Sequence, residues 1–153
     1  SPPPARLLST TGQPPAGETI RHMQAQEQDH LDTFDRLVAE NGVRPTALSP
    51  VWSVAGYALG AVTALMGEKA AMACTAAVEE VIDEHYAAQV AALDGDGEAN
   101  AGLKETIEKF RVDEVAHRDT ALEHGAEQAP GYRVLSETIK AGCRLAIKLS
   151  ERF

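Results

Sequence analysis

The sequence predicts an all-α protein, and three observations support that fold class. Apolar residues recur at three- and four-residue spacing through most of the chain after residue 17. The sequence lacks the alternating runs of β-branched residues that are typical of strands. The spacing Glu-x-x-His occurs twice, at Glu27/His30 and at Glu114/His117. Residues three apart on a helix point the same way, so each pair would present a carboxylate and an imidazole together.

Length and charge limit the classes of function. A chain of 153 residues is long enough for one domain with its own core. Its 23 acidic and 14 basic residues give a net charge of −9. This balance argues against nucleic-acid binding, which needs a basic face, and against electrostatic attraction to anionic lipid. Cys74 and Cys143 stand among small apolar residues, which favours buried thiols and a reducing compartment.

The N-terminal part divides into a linker and a first helix. Residues 1–16 are rich in proline, which predicts a linker before a domain that covers 17–153. The first helix is expected from Glu18 to Glu40, with Asn41-Gly42 as its stop signal. Its apolar stripe includes Glu27 and His30. Gln26 lies beside the stripe, so the pattern does not assign it to a site.

The next segment, residues 45–67, contains no charged residue. A helix from near Pro50 to Gly67 would be roughly 27 Å long, which is borderline for crossing a bilayer. Small residues at Gly56, Gly60 and Ala64 would permit close contact with a neighbouring helix. The pattern leaves two alternatives open, an ordinary buried hairpin helix and a helix that dips into a membrane.

Three further helices follow. They are expected from Glu68 to about Leu93, from Leu103 to near residue 124, and after Pro130, with a flexible polar connector at 94–102.

The third helix supplies another carboxylate. Glu79 shares its stripe with Met72, Ile82 and Tyr86, whereas Glu80 points to a more exposed sector, so Glu79 is the candidate.

Three carboxylates and two imidazoles on apolar faces predict a metal site. A buried carboxylate without a partner is costly, and a dication removes that cost because the charged form becomes a ligand. The predicted ligands are Glu27, His30, Glu79, Glu114 and His117. Mixed oxygen and nitrogen ligation suits iron or manganese better than zinc.

Residues around these ligands are harder to assign. His85 and Tyr86 are candidates for a position just outside the ligands or in a substrate-pocket wall. For Tyr86, a buried hydrogen-bonded tyrosine is an equal alternative. Asp113 precedes the second pair and is expected in solvent or outside the ligands.

Several long stretches resemble the demethoxyubiquinone hydroxylase family of di-iron monooxygenases. They are QEQDHLDTF with Glu27/His30, the run from RPTALSPVW to AAVEE with Glu79, FRVDEVAHRD with Glu114/His117, and the terminal AGCRLAIKLSERF. The resemblance covers about residue 17 to Phe153. It implies a ferritin-like four-helix bundle with an additional apolar, membrane-facing helix. The same five residues match the family's metal-ligand positions.

The implied activity is hydroxylation of the quinone ring of a demethoxyubiquinol-type intermediate in ubiquinone biosynthesis. This activity implies two iron ions, O2 and two electrons. The electrons are expected from an external donor because the sequence shows no nucleotide-binding fingerprint, and NADH is a candidate for that donor. Implied partners are a polyprenyl quinone, a membrane surface met through 45–67 and other proteins of ubiquinone biosynthesis. The implied location is peripheral, on the cytoplasmic face of a bacterial inner membrane or the matrix face of the mitochondrial one.

The sequence departs from the family at its start. The family has an earlier helix with a fourth carboxylate, and nothing here matches it. Glu18 cannot substitute, because it lies about 13.5 Å along the helix axis from Glu27. The expectation is a missing N-terminal segment, with a truncated product or a borrowed helix as alternatives. If Ser1 is the true start, we expect impaired metal loading and low or absent activity. Two other functions then stay open, a ferritin-like iron-binding protein and a non-catalytic quinone- or lipid-binding protein.

Overall fold

The structure is a computed structural model that describes residues 15–95 and 97–153. This part of the chain forms a helical bundle without strands. Its long helices are α1 (Ala16–Glu40), α2 (Ser49–Leu65), α3 (Glu68–Leu93), α4 (Ala101–Glu123) and α5 (Tyr132–Ser150). Short 3-10 helices at Gly97–Asn100 and Ala126–Gln128 precede α4 and α5. The predicted all-α class is therefore confirmed. The linker predicted at 1–16 lies almost wholly outside the described residues.

The helix ends follow the local sequence closely. At the end of α1, the Asn41 side chain donates a 2.7 Å hydrogen bond to the Leu37 carbonyl oxygen, and Gly42 adopts a positive φ of 62°. α1 starts at Ala16 instead of Glu18 because Pro15 can occupy the position before a helix, where no amide hydrogen is needed. Part of the connector predicted at 94–102 forms the first short 3-10 helix instead of a flexible loop.

α3 is the central helix. Small side chains on α3 pack against those of α4 and the segment after it, so the backbones approach closely. The buried residues of this core are Ala70, Met72, Ala73, Ala76, Ala121, Ala126 and Ala129. On another side, Cys74 and Ala77 pack with Ile139 of α5. Both cysteines are free thiols, as predicted, with Cys74 buried and Cys143 partly buried.

α2 lies on the outside of the bundle. Thr63 is its one buried residue, Leu59 packs against the Cys74 cluster, and Trp52 Nε1 donates a 2.7 Å hydrogen bond to Ser150 Oγ. The opposite side exposes large apolar side chains, with Tyr57 82% and Leu65 89% exposed. The described residues therefore leave one side of α2 uncovered, and the choice between a buried hairpin helix and a helix that dips into a membrane stays a prediction. At 17 residues α2 is slightly shorter than predicted, and no described helix is long and apolar enough to cross a membrane.

Candidate metal centre

Three helices bring the predicted ligands to one place. α1 contributes Glu27 and His30, α3 contributes Glu79, and α4 contributes Glu114 and His117. Four of these side chains are buried, and the Glu27 side chain is 44% exposed. α1 and α4 run antiparallel, since residues near 26 face 117 and residues near 30 face 114. The two Glu-x-x-His pairs consequently face each other across the bundle.

His117 has the denser set of carboxylates. Its Nδ1 lies 3.1 Å from Oε1 of Glu27, 3.8 Å from Oε1 of Glu79 and 3.7 Å from Oε2 of Glu114. One ligand atom from each of these four residues lies within 4.8 Å of the others. This spacing is compatible with a single cation bound between them.

His30 lies on the other side of the same cluster. Its Nδ1 is 3.0 Å from Oε1 of Glu114 and 3.9 Å from Oε1 of Glu27. The two oxygens of Glu114 therefore face different histidines, and Glu27 approaches both. His30 is not within the tightest group of four, and Glu79 is not among its close partners. The structure thus brings all five predicted residues together, with three carboxylates around His117 and two around His30.

In each histidine, Nε2 points away from the carboxylates of the cluster and contacts a polar side chain. Nε2 of His30 lies 3.0 Å from Oδ2 of Asp113, a carboxylate oxygen that accepts a hydrogen bond when Nε2 is protonated. Nε2 of His117 donates a 2.8 Å hydrogen bond to Oε1 of Gln26. Asp113 is therefore placed outside the ligands, as its position beside the second pair suggested.

The sequence pattern did not indicate Gln26. A signal for it exists, because Gln26 precedes Glu27 as Asp113 precedes Glu114.

The cluster contains buried polar atoms that have charged neighbours but make no well-aligned hydrogen bond to a described residue. They are Oε1 of Glu27, Oε2 of Glu79, Oε2 of Glu114 and Nδ1 of His117, four of the six such side-chain atoms in the described residues. Buried polar atoms without partners are rare in native proteins and call for a ligand. A cation would satisfy all four together. The residues present therefore fit a metal centre.

The electrostatics of the cluster point the same way. Burial, with help from the neighbouring carboxylates of Glu114 and Glu27, raises the pKa of Glu79 to about 8. Burial opposes a charge on His117, but the adjacent carboxylates outweigh it and raise the pKa of His117 to about 11. Burial also opposes ionisation of Glu114, but interactions with His117 and Glu79 hold its pKa below the usual value. The cluster takes up positive charge readily, as protons or as a metal ion.

An aromatic wall adjoins the histidines. The Phe110 ring stacks on His30 with centroids 4.0 Å apart, and Phe34 meets Phe110 edge-on at 5.4 Å. The ring centroids of Tyr86 and Phe34 lie 6.1 Å apart. Burial and the negative charges of Glu114, Glu27 and Glu79 raise the pKa of Tyr86, so its hydroxyl stays protonated. That hydroxyl makes no hydrogen bond to any described residue, and the choice between a pocket residue and a core tyrosine stays a prediction.

His85 lies elsewhere. Its Nε2 is 3.1 Å from Nε2 of Gln89, and its ring lines an open apolar groove with Trp52 and Ile147. This groove, between α2, α3 and α5, has a volume of about 450 Å³. No hydrogen bond or ion pair joins His85 to a metal ligand among the described residues, and its assignment to a position just outside the ligands or in a substrate pocket stays a prediction.

A carboxylate- and histidine-lined centre inside a helical bundle defines a class of candidate metalloproteins. Comparison with known proteins identifies the family: the chain belongs to the family described as "Ubiquinone biosynthesis protein COQ7", whose model matches residues 5–150. The resemblance found in the sequence is confirmed.

Individual relatives agree. The chain is 58% identical over 133 residues to the 3-demethoxyubiquinol 3-hydroxylase of Rhodospirillum rubrum, covering 87% of the chain and 61% of the relative. It is 49% identical over 150 residues to the mitochondrial NADPH-dependent 3-demethoxyubiquinone 3-hydroxylase of Rattus norvegicus, covering 97% of the chain and 69% of the relative. It is 41% identical over 145 residues to the mitochondrial 5-demethoxyubiquinone hydroxylase of Saccharomyces cerevisiae, covering 87% and 62%. The chain therefore spans about two thirds of the length of these relatives.

Proposed function

We propose that this chain carries the metal centre of an O2-dependent hydroxylase that acts on the quinone ring of a demethoxyubiquinol-type intermediate in ubiquinone biosynthesis. The observation that carries the proposal is the buried cluster of three carboxylates and two histidines with unsatisfied ligand atoms. The names of the relatives supply the substrate class and the reaction.

The arrangement of oxygens supports two ions in a ferritin-like bundle. Glu27 and Glu114 each approach both histidines and would help to hold metal on either side of the cluster, whereas Glu79 would do so on the His117 side. Paired Glu-x-x-His motifs on facing helices are the ligand pattern of di-iron carboxylate bundles. We propose iron because the donors are oxygen and imidazole and because the reaction needs a redox metal.

When bound, the iron pair supplies the redox chemistry that activates O2. The protein's own part is to fix the ligands and to exclude water. The Phe34 and Phe110 rings close one side of the cluster with apolar surface, which suits a hydrophobic quinone ring and limits side reactions with solvent. Tyr86 adds a neutral hydroxyl near this wall.

The reaction requires two electrons from outside the cluster. The name of the rat relative states that it depends on NADPH. We therefore propose a reduced nicotinamide as the source, with NADPH favoured over the NADH suggested from the sequence, and with delivery by a partner protein or through the quinone itself.

The membrane part of the proposal rests on α2. Residues 45–67 carry no charge, and the outer side of α2 is apolar and exposed within this chain. An exposed apolar surface of this kind marks an interaction site. We propose that it lies on the bilayer surface and admits the polyprenyl tail. The location would be peripheral, on the cytoplasmic side of a bacterial inner membrane or the matrix side of the mitochondrial one.

The test is a single-turnover reaction with ¹⁸O-labelled O2. Protein loaded anaerobically with Fe2+ is mixed with a short-tailed demethoxyubiquinol, and the quinone products are analysed by mass spectrometry. We expect one labelled oxygen in the ring of the product. Glu80→Gln serves as a control, because Glu80 is the neighbouring, exposed carboxylate paired with Lys140. Oxidation of Fe2+ without any change in the quinol would favour a ferritin-like iron-binding protein, and failure to bind iron would favour a non-catalytic quinone- or lipid-binding one.

A further inference from the structure

The two histidines of the cluster have unlike neighbours behind them. Asp113 on α4 accepts from His30 on α1, and Gln26 on α1 accepts from His117 on α4. Because α1 and α4 run antiparallel, the two contacts mirror each other. Each accepting residue immediately precedes the glutamate of one motif and contacts the histidine of the other motif. One neighbour is a carboxylate and the other is a neutral amide.

This difference changes the donor strength of the two imidazoles. A hydrogen bond from the far N–H of a histidine to a partner fixes the ring's tautomer and orientation. A charged carboxylate partner also pulls the proton toward itself, which makes the near nitrogen a stronger metal donor. Asp113 therefore does both for His30, whereas Gln26 fixes His117 without adding charge.

The negative charge of Asp113 offsets the uneven number of carboxylates around the two histidines. Three carboxylates face His117 and two face His30. The negative neighbour stands behind the histidine with fewer facing carboxylates.

We propose that Asp113 and Gln26 are positioning residues that act crosswise on the two metal subsites: Asp113 strengthens metal binding at His30, and Gln26 orients His117 without adding charge to a subsite that already has three carboxylates. This inference deepens the proposed function, on whose metal centre it rests.

Near-isosteric substitutions test it with metal binding as the readout. Co2+ is titrated calorimetrically into the wild-type chain, Asp113→Asn and Gln26→Glu. In parallel, paramagnetically shifted NMR signals of the imidazole Nε2–H protons report which histidine is bound to Co2+. We expect Asp113→Asn to weaken Co2+ binding at His30 by about tenfold or more. Gln26→Glu should strengthen binding at His117 by a comparable factor, and the double variant should do both.

Opposite signs separate this role from a merely structural one. If the two neighbours only held the fold, both single variants would weaken Co2+ binding. Gln24→Glu and Asp119→Asn are the matched controls, because they make the same charge changes at exposed positions of the same helices and should leave both subsites unchanged.

Two results would overturn the proposal. This inference alone would be refuted if the wild-type chain binds Co2+ and Asp113→Asn and Gln26→Glu leave the Co2+ affinity unchanged. It would also be refuted if both substitutions weaken Co2+ binding equally. Failure of the wild-type protein to bind Co2+, when any segment that precedes Ser1 is included, would refute the metal centre itself, and with it the proposed function.

Discussion

The interior between α1, α3 and α4 and the outer side of α2 both have a polarity opposite to the one expected of a helical bundle in water. Inside, Glu79, Glu114 and two histidines place ionisable groups where apolar ones are expected. Outside, α2 exposes apolar side chains where charged ones are expected. Each arrangement is costly in the chain alone and becomes favourable with a partner, a cation inside and a lipid surface outside. Both regions support the proposal that the protein joins metal chemistry to a membrane-borne substrate.

The largest expected effect comes from the carboxylate that both histidines share. Glu114→Ala removes the oxygens that face His30 and His117, so it should abolish metal binding and reduce formation of hydroxylated quinone to the background of the assay. Quinone products and iron content are measured on the same preparation. If Glu114→Ala keeps wild-type iron and product levels, the buried cluster is not the metal centre.

The next effect concerns the outer side of α2. Val54→Glu and Leu65→Glu each place a charge on an exposed apolar position, at side chains that are 71% and 89% exposed. Because immersing one such side chain is worth roughly 1.5–3 kcal/mol, we expect binding to lipid vesicles to fall about tenfold per site. Iron content should not change.

Val112→Glu is the matched control for these variants, since Val112 on α4 is 68% exposed but lies away from α2. Sedimentation with neutral lipid vesicles measures the effect. Equal losses from Val112→Glu and Val54→Glu would show that α2 is not the lipid-binding side.

A third prediction concerns pH and protein stripped of metal by a chelator. The folded-state pKa values of Glu79 and His117, about 8 and about 11, lie above their ordinary values of 4.5 and 6.5. The stability that these groups contribute is complete below the ordinary values and is lost as pH rises toward the folded ones. The melting temperature should therefore fall as the pH rises from about 4.5 to about 8.

Calorimetry across that range measures this dependence, and Glu79→Gln should flatten it. Bound metal should reverse it, because metal competes with these protons and binds more tightly as pH rises. A stripped wild-type protein that becomes more stable over the same range would contradict the assignment of buried, proton-binding ligands.

The smallest effect separates the two neighbouring glutamates of α3. Glu80 forms a 2.7 Å ion pair with Lys140 and its side chain is 41% exposed. Glu80→Gln should cost about 1 kcal/mol of unfolding free energy and leave iron content unchanged, because Lys140, whose side chain is 12% exposed, keeps Glu137 as a partner at 3.5 Å. Glu79→Gln at the adjacent position should lower iron content strongly. Chemical denaturation and metal analysis compare the two, and equal iron contents would remove the distinction.

The sequence was a good guide where periodicity governs structure. The helical stripes correctly placed Glu79, Glu114 and both of the paired histidines in the interior, with Glu27 at its partly exposed edge. A stripe of residues three or four apart faces one neighbour whatever the detailed packing. It was a poor guide where position depends on contact between helices. Gln26 lies off its own stripe, and only the antiparallel approach of α4 brings it to His117. Whether α2 was covered could not be predicted either, because an apolar run is compatible with protein or lipid as its neighbour.

The central claim is that the five side chains hold iron, and an anaerobic Fe2+ titration followed by Mössbauer spectroscopy tests it most directly. For the wild-type protein, including any segment that precedes Ser1, we predict uptake that saturates at about two ions with oxygen and nitrogen ligation, and loss of that uptake in Glu114→Ala. No more than trace iron in the wild-type protein, or equal uptake in the variant, would contradict the account.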